Sequence, residues 1–311
     1  MTFRCDVAVI GGSFAGAAAA LQVARGRRRV TVFDHGITRN RFAATSHGFL
    51  GQDGVAPDAI RLTARAEVLA YPTAKVVEAA VTAVRRDAGG FVLASGAGEW
   101  SAARVVLAYG MRDHMPDLDG LAACWGRSAF QCPYCHGFEA ADRPTTVLMT
   151  GPWSLHHAQI LGDWTGDLTL LLNGHDLGGE GRADLARRGV RLVEERVARI
   201  EHEGGQARAA VLESGAAVPA EVVYLNPRFE PAAPFATMLG CATSEAPLGS
   251  YVVADAMQRT SVDGVFAAGD LTRPFYNAMT SAAEGVRAGA AAHQSLLVEL
   301  PQQDESRQGR Q

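Results

Sequence analysis

Cys132-Pro133-Tyr134-Cys135, followed by His136-Gly137-Phe138-Glu139, sets two thiols three residues apart. Such a pair closes as a disulfide and reopens as a dithiol, which makes it a two-electron store. Pro133 stiffens the small ring, and a pair at the start of a helix feels the positive end of the helix dipole. Both effects favour a reactive thiolate of low pKa. Taken alone, Cys-x-x-Cys fits a redox pair or half a zinc site. Structural zinc wants four ligands, a second Cys-x-x-Cys is absent, and His156-His157 are adjacent rather than spaced. The redox reading is favoured, with no metal. His136 directly follows Cys135, where an imidazole accepts a thiol proton near neutral pH. The plainer role for His136 is a helix cap or a backbone hydrogen bond. Cys5, Cys124 and Cys241 are single and read as small buried hydrophobes.

The elements around this motif read as two nucleotide-type folds. Val7-Ala8-Val9-Ile10 is a buried strand by its continuous apolar character. Gly11-Gly12-Ser13-Phe14-Ala15-Gly16 follows, then a helix over Ala17 to Ala24 and a strand Val30-Thr31-Val32-Phe33 ending at Asp34. In this βαβ unit the glycine turn lets a pyrophosphate sit on a helix N-terminus, and Asp34 stands where a carboxylate binds a ribose hydroxyl. Ser13 replaces the second glycine of Gly-x-Gly-x-x-Gly. Lys75 to Val84, Phe91 to Leu93 and Arg104 to Ala108 are further predicted strands, with Asp113 to Gly120 as a linker. A second unit starts at Thr146–Thr150, turns at Gly151-Pro152-Trp153-Ser154 and runs as helix through Ile160 to a strand at Leu168–Leu172. Asn226 to Pro234 reads as a return linker, Gly264–Asp270 as a strand running into a Gly-Asp turn, and Ala278 to Leu297 as a long helix of small residues. One fold thus interrupts another: residues 1–114 and 242–300 form the first domain and 115–241 the second. The polar tail 301–311 is expected to be disordered. Trp153 and Trp164 read as core rather than as a substrate platform.

Bulk numbers agree with an α/β protein of about two domains: 311 residues, 48% of them hydrophobic. Net charge is −4, from 33 acidic and 29 basic residues, so no global field recruits nucleic acid or anionic membrane. Arg27-Arg28-Arg29 reads as a solvated helix C-terminus. No run reaches the ~18 apolar residues of a membrane span. The Ala-rich start, with Asp6 and a Gly-Gly turn, is not a signal peptide. A cytoplasmic protein is expected, in which five cysteines are not a disulfide framework.

Taken together, the glycine turn, Ala108-Tyr109-Gly110, the Cys-x-x-Cys of the inserted domain and Gly269-Asp270 resemble, in order, the low-molecular-weight thioredoxin reductase flavoproteins. The resemblance covers about residues 4 to 298 and implies two three-layer ββα Rossmann-like domains, a homodimer, and FAD on the first domain. Carried over, the FAD-binding positions are Gly11, Gly12, Ser13, Phe14, Ala15, Gly16, Asp34, His47, Val81, Ala108, Gly110, Gly269, Asp270, Asn277 and Ala278. Cys135 is implied as the flavin-side thiol and Cys132 as the outer one. Thr45-Ser46-His47-Gly48-Phe49-Leu50-Gly51-Gln52-Asp53-Gly54, the Cys-Pro-Tyr-Cys-His-Gly-Phe-Glu run and Thr150–His156 look like the branch that closes disulfides in gliotoxin- and holomycin-type molecules. Two departures from a true reductase matter. Pro152 and Trp153 sit in the nicotinamide turn, where backbone must approach a pyrophosphate. Asn173-Gly174-His175-Asp176 offers no Arg or Lys for a 2′-phosphate, and an adverse carboxylate instead. The resulting expectation is an FAD-dependent oxidase of a small natural-product-type dithiol, with O2 reduced to H2O2. An NAD(P)H-dependent thioredoxin reductase-like enzyme and a non-turnover redox sensor are the alternatives.

Overall fold

A run that is apolar at every position must be covered on both sides, and residues 7–10, the end of β1 (Thr2–Ile10), are. Val7 and Val9 enter one core while Ala8 and Ile10 enter another, the period-two alternation of a pleated strand. The computed structural model describes residues 2–275 and 277–298; the tail expected to be disordered, 301–311, lies outside them. β1 leads through α1 (Phe14–Arg25) to β2 (Val30–Phe33), α2 (Pro57–Leu69) and β3 (Ala74–Val77), then β4 (Val81–Asp87), β5 (Gly90–Ser95), β6 (Gly98–Leu107) and β7 (Met111–His114). β3, β2, β1 and β6 pair in parallel, whereas β6, β5 and β4 form an antiparallel meander.

The inserted unit runs through α3 (Leu121–Cys124), β8 (Ala129–Phe130), α4 (Pro133–His136), β9 (Thr145–Leu148), α5 (Trp153–Ile160), β10 (Leu168–Leu171), α6 (Gly178–Arg187) and β11 (Arg191–Val193). It closes with β12 (Val197–Glu203), β13 (Gln206–Leu212), β14 (Ala217–Pro219) and β15 (Val222–Tyr224). β11-β10-β9-β15-β8 is a parallel sheet, and β12-β13-β14 a separate antiparallel one. The chain then returns through β16 (Arg228–Pro231), α7 (Phe235–Leu239), β17 (Thr243–Ala246), β18 (Gly249–Val252), β19 (Val265–Ala267) and α8 (Ala278–Ser295). β19 pairs in parallel with the end of β6 and completes the first sheet. The molecule is therefore two Rossmann-like α/β domains, one set within the other.

Three expectations change. The run Lys75 to Val84 is two strands, β3 on the parallel edge and β4 in a hairpin with β5. Apolar character marks a buried strand without naming its partner. The two linkers are in part regular: β7, which ends at His114, and β16 pair antiparallel, Arg228 opposite His114 and Pro231 opposite Met111, while residues 115–120 belong to no strand. Phe229, Phe235, Ala236 and Cys241, assigned to the insertion from the sequence, lie in the first domain's core. The small residues of α8 serve the first domain itself: a Cβ on Gly285 or Gly289 would lie 2.1 or 2.3 Å from Ala15 O or Ala19 O of α1. Close helix approach within one domain explains them without a second subunit. Cys5, Cys124 and Cys241 are buried and unpaired with one another. Among the described residues no helix is long and apolar enough to cross a membrane.

Candidate active site

Cys132 and Cys135 are joined as a disulfide, Cα atoms 5.3 Å apart, with Cys132 as the N-cap of α4. α4 is one turn long, so few peptide dipoles sum there and the helix end contributes less to thiol acidity than the sequence suggests. The turn rests on Trp164: a Cβ on Gly137 would lie 2.8 Å from its ring, and Tyr134 meets that ring edge-on at 5.5 Å. Trp164 is thus a support, as expected. Tyr134 and Phe138 stand 76% and 85% exposed beside the disulfide, an apolar rim at its mouth.

His136 stacks on Phe130 at 4.2 Å. Burial pushes its pKa down, partly offset by the charge of Glu139, while His47 pushes it further down. The net shift favours the neutral ring. His47 arrives from the first domain. Its Nε2 is 3.4 Å from Glu139 Oε1 and 3.1 Å from Thr45 Oγ1, and its Nδ1 is 3.5 Å from Asp53 Oδ2. Glu139, named in the motif without a role, is the carboxylate between the two imidazoles. Behind the turn, His157 is buried against Asn226, 3.4 Å away, and burial, with a smaller push from His156, depresses its pKa to about 4.

The glycine turn of the first domain is built for close approach. Gly11 has φ +106°, and a Cβ there would lie 2.2 Å from Ala108 O; one on Gly16 would lie 1.8 Å from Gly11 O. A Cβ on Gly12 would strike Asp34, which places that carboxylate against the turn. Ser13 gives α1 no side-chain cap, so the first-turn N–H groups following Phe14 and Ala15 face outward without an internal acceptor. Asp34 is also held by Arg61, Nη1 to Oδ2 3.0 Å, a residue of α2 that no local motif announces. Gly110 has open space above it, and Val81 is buried at the start of β4.

The carboxyl end of the chain meets the same turn. A Cβ on Gly269 would lie 2.9 Å from that of Ala15. Asp270 accepts from Ser281 Oγ at 2.9 Å and from Arg39 Nη1 at 3.1 Å, and Arg39 also grips Asp113. Buried Glu284 accepts from Gly269 N and Thr272 Oγ1, at 2.9 and 3.0 Å, and pairs with Arg273. It fixes the Gly-Asp turn and was not foreseen. Asn277 caps α8, accepting from Thr280 N at 2.8 Å, so Ala278 opens the helix as expected. A cradle that a single added methyl would fill, uncapped helix donors and an adjacent carboxylate together fit a dinucleotide.

The second turn differs. Ser154 Oγ accepts from Thr150 N at 3.1 Å, and Ser154 N donates to Gly151 O at 3.1 Å, so the loop bonds to itself. Trp153 leaves its own domain, meeting Phe275 at 4.7 Å and packing on the first domain's core. At the end of β10, Asp176 pairs with Arg182, which is itself engaged by Glu194. The expectation of no nearby cation is corrected: Arg196, from beyond β11, lies over Gly174, where a Cβ would meet its guanidinium at 2.6 Å.

The family described as pyridine nucleotide-disulphide oxidoreductase matches residues 5–289. "Thioredoxin reductase tcpT" of Claviceps purpurea is 33% identical over 310 residues, 95% of each chain. Among solved structures, an oxidoreductase from Agrobacterium tumefaciens superposes with a TM-score of 0.91 at 39% identity, over 95% of this chain and 99% of that one. One named HlmI gives 0.89 at 36%, over 95% and 94%. With its two Rossmann-like domains and its joined Cys132–Cys135 pair, the chain belongs to the pyridine nucleotide-disulphide oxidoreductase family, as a low-molecular-weight thioredoxin reductase-like flavoprotein.

Proposed function

We propose that the protein is an FAD-dependent dithiol oxidase that closes a disulfide in a small, apolar dithiol. The observation carrying this reading is a contrast: a disulfide flanked by His136, served by one nucleotide turn too tight for any side chain and one turn whose Ser154 bonds back to Thr150. Gly11 to Gly16, Asp34, Ala108, Gly110, Gly269, Asp270 and Ala278 would hold the FAD, with Val81 and Asn277 shaping its surroundings. Bound there, FAD would supply a two-electron acceptor reoxidised by O2, which leaves as H2O2.

The chain's own work is thiol exchange. A substrate thiolate attacks Cys132 and the Cys132–Cys135 bond breaks, leaving Cys135 as thiolate. The second substrate thiol then attacks its own mixed-disulfide sulfur, so the substrate departs as a disulfide and both cysteines are reduced. His136 takes the proton of the first attacking thiol, passes it to solvent, and then takes that of the second. Tyr134 and Phe138 supply apolar contact for the substrate. A homodimer belongs to the reading by resemblance and a cytoplasmic setting by the sequence pattern; light scattering at micromolar concentration checks the former.

Arg196 favours a second reading, an NAD(P)H-dependent disulfide reductase, because it brings a cation to the 2′-phosphate position. Anaerobic stopped-flow absorbance separates the two. A small dithiol should bleach the flavin rapidly, NADPH slowly, and air should restore colour with peroxide formed in proportion. Rapid bleaching by micromolar NADPH would establish the reductase instead.

A further inference from the structure

Two strands, β7 and β16, carry the chain between the domains, and they lie at one edge of a four-stranded sheet with β18 and β17. That sheet ties the connection to the first domain, and further contacts bear on how the redox turn faces it. Side chains meet across the seam in several places. Trp153 meets Phe275, Gly126 sits against Phe42 (a Cβ there would lie 2.5 Å from Phe42 Cβ), and Glu139 meets His47. Of these three contacts, the last is the polar one, and it alone lies in the same short segment as the disulfide.

His47 is built into its loop before it reaches Glu139. Asp53 accepts from Gly48 N at 2.8 Å, Ser46 N donates to Val55 O, and Gly54 N donates to Ser46 O. These bonds fold residues 46–55 into a tight excursion with the ring projecting from its base. Its two nitrogens face carboxylates from different domains, Asp53 at 3.5 Å and Glu139 at 3.4 Å. Nε2 also lies 3.1 Å from Thr45 Oγ1, so the ring touches its own loop at both nitrogens and the other domain at one. Glu139 lies three residues after His136, and the charges of both Glu139 and His47 reach that imidazole.

We propose that Glu139 is a positioning residue that, through His47, ties the redox turn of the inserted domain to the loop 45–55 of the first domain. The carboxylate touches neither sulfur. It holds the turn carrying them in one attitude towards the first domain, and it fixes the distance between two imidazoles beside the disulfide. This rests on the reading of Cys132–Cys135 as the redox couple but not on which acceptor or donor the enzyme uses.

The test is amide hydrogen exchange on the purified holoprotein. Glu139→Gln should raise exchange across residues 45–55, in the other domain, by about threefold or more. His47→Gln should reciprocally raise it across 132–139, and the double variant should add little to either single change. Effects confined to the substituted segment in both variants would overturn the proposal; either variant alone gives the reading if the other folds poorly. In parallel, Glu139→Gln should lower kcat for dithiol turnover by about tenfold with KM little changed, the pattern of lost alignment rather than lost binding. Should NADPH prove the true reductant, the exchange result is unaffected, so failure of the oxidase reading and failure of this one are separable.

Discussion

The two glycine turns share a strand–turn–helix order and differ in what lines them. At Gly11–Gly16 the backbone passes so close to Ala108 and to itself that no side chain fits, and α1 offers its first amides without a cap. At Gly151–Ser154 the same strand–turn–helix order persists, but Ser154 consumes a turn donor and Trp153 spends its surface on the other domain. A turn that bonds to itself offers fewer donors to a phosphate, and it does so without unfolding anything. The scaffold persists because α5 and the parallel sheet still bury a core.

Substitutions in the two turns put that contrast at risk. The largest effect is expected at Gly16→Val: its Cβ would overlap a backbone carbonyl, which cannot swing aside, so a loss of about 3 kcal/mol or more and of bound flavin follows. Denaturant unfolding with flavin absorbance measures both, and a yellow, stable variant would mean the turn is not close-packed. Next comes pH, acting behind the closed turn through His157. Its folded pKa of about 4 lies below the ordinary 6.5, so the unfolded chain binds a proton that the native one refuses. Stability is therefore fully present above about pH 6.5 and falls by roughly 2–3 kcal/mol as pH drops towards 4. His157→Gln should flatten that slope in unfolding curves taken at pH 7 and 5.

Trp153→Ala removes the ring contact with Phe275 and part of the first core, for about 1–2 kcal/mol. It should improve NADPH binding less than tenfold, because Ser154 still holds Thr150 N; a hundredfold gain by fluorescence titration would show that Trp153 alone closed the site. The smallest effect is expected at Gly151→Ala. A Cβ there meets only Leu248, at 3.5 Å, so stability should stay within about 0.5 kcal/mol by thermal melting.

What could be read from the chain alone was local. The βαβ pattern, the glycine turn with Asp34 and the paired thiols are each contained in a few dozen residues. Partners chosen across long separations were not visible. β7 and β16 carry no mark that they pair, and Lys75 to Val84 carries none of where one strand ends and the next begins. Arg61, Arg196 and Glu284 reach the sites from other elements, so counting cations at one strand end missed Arg196. The role of Glu139 was equally hidden, since its partner His47 belongs to the other domain.

The clasp of α1 and α8 has a consequence for how the protein is made. The first domain needs β19 and α8, the last described elements to leave the ribosome, to finish its sheet and cover α1. The inserted unit is continuous and complete long before. During synthesis the inner domain can fold first, while an alanine-rich helix and a sheet still lacking β19 wait with their apolar faces bare. Completion of the cradle at Gly11–Gly16 and Gly269 thereby waits for the late elements β19 and α8.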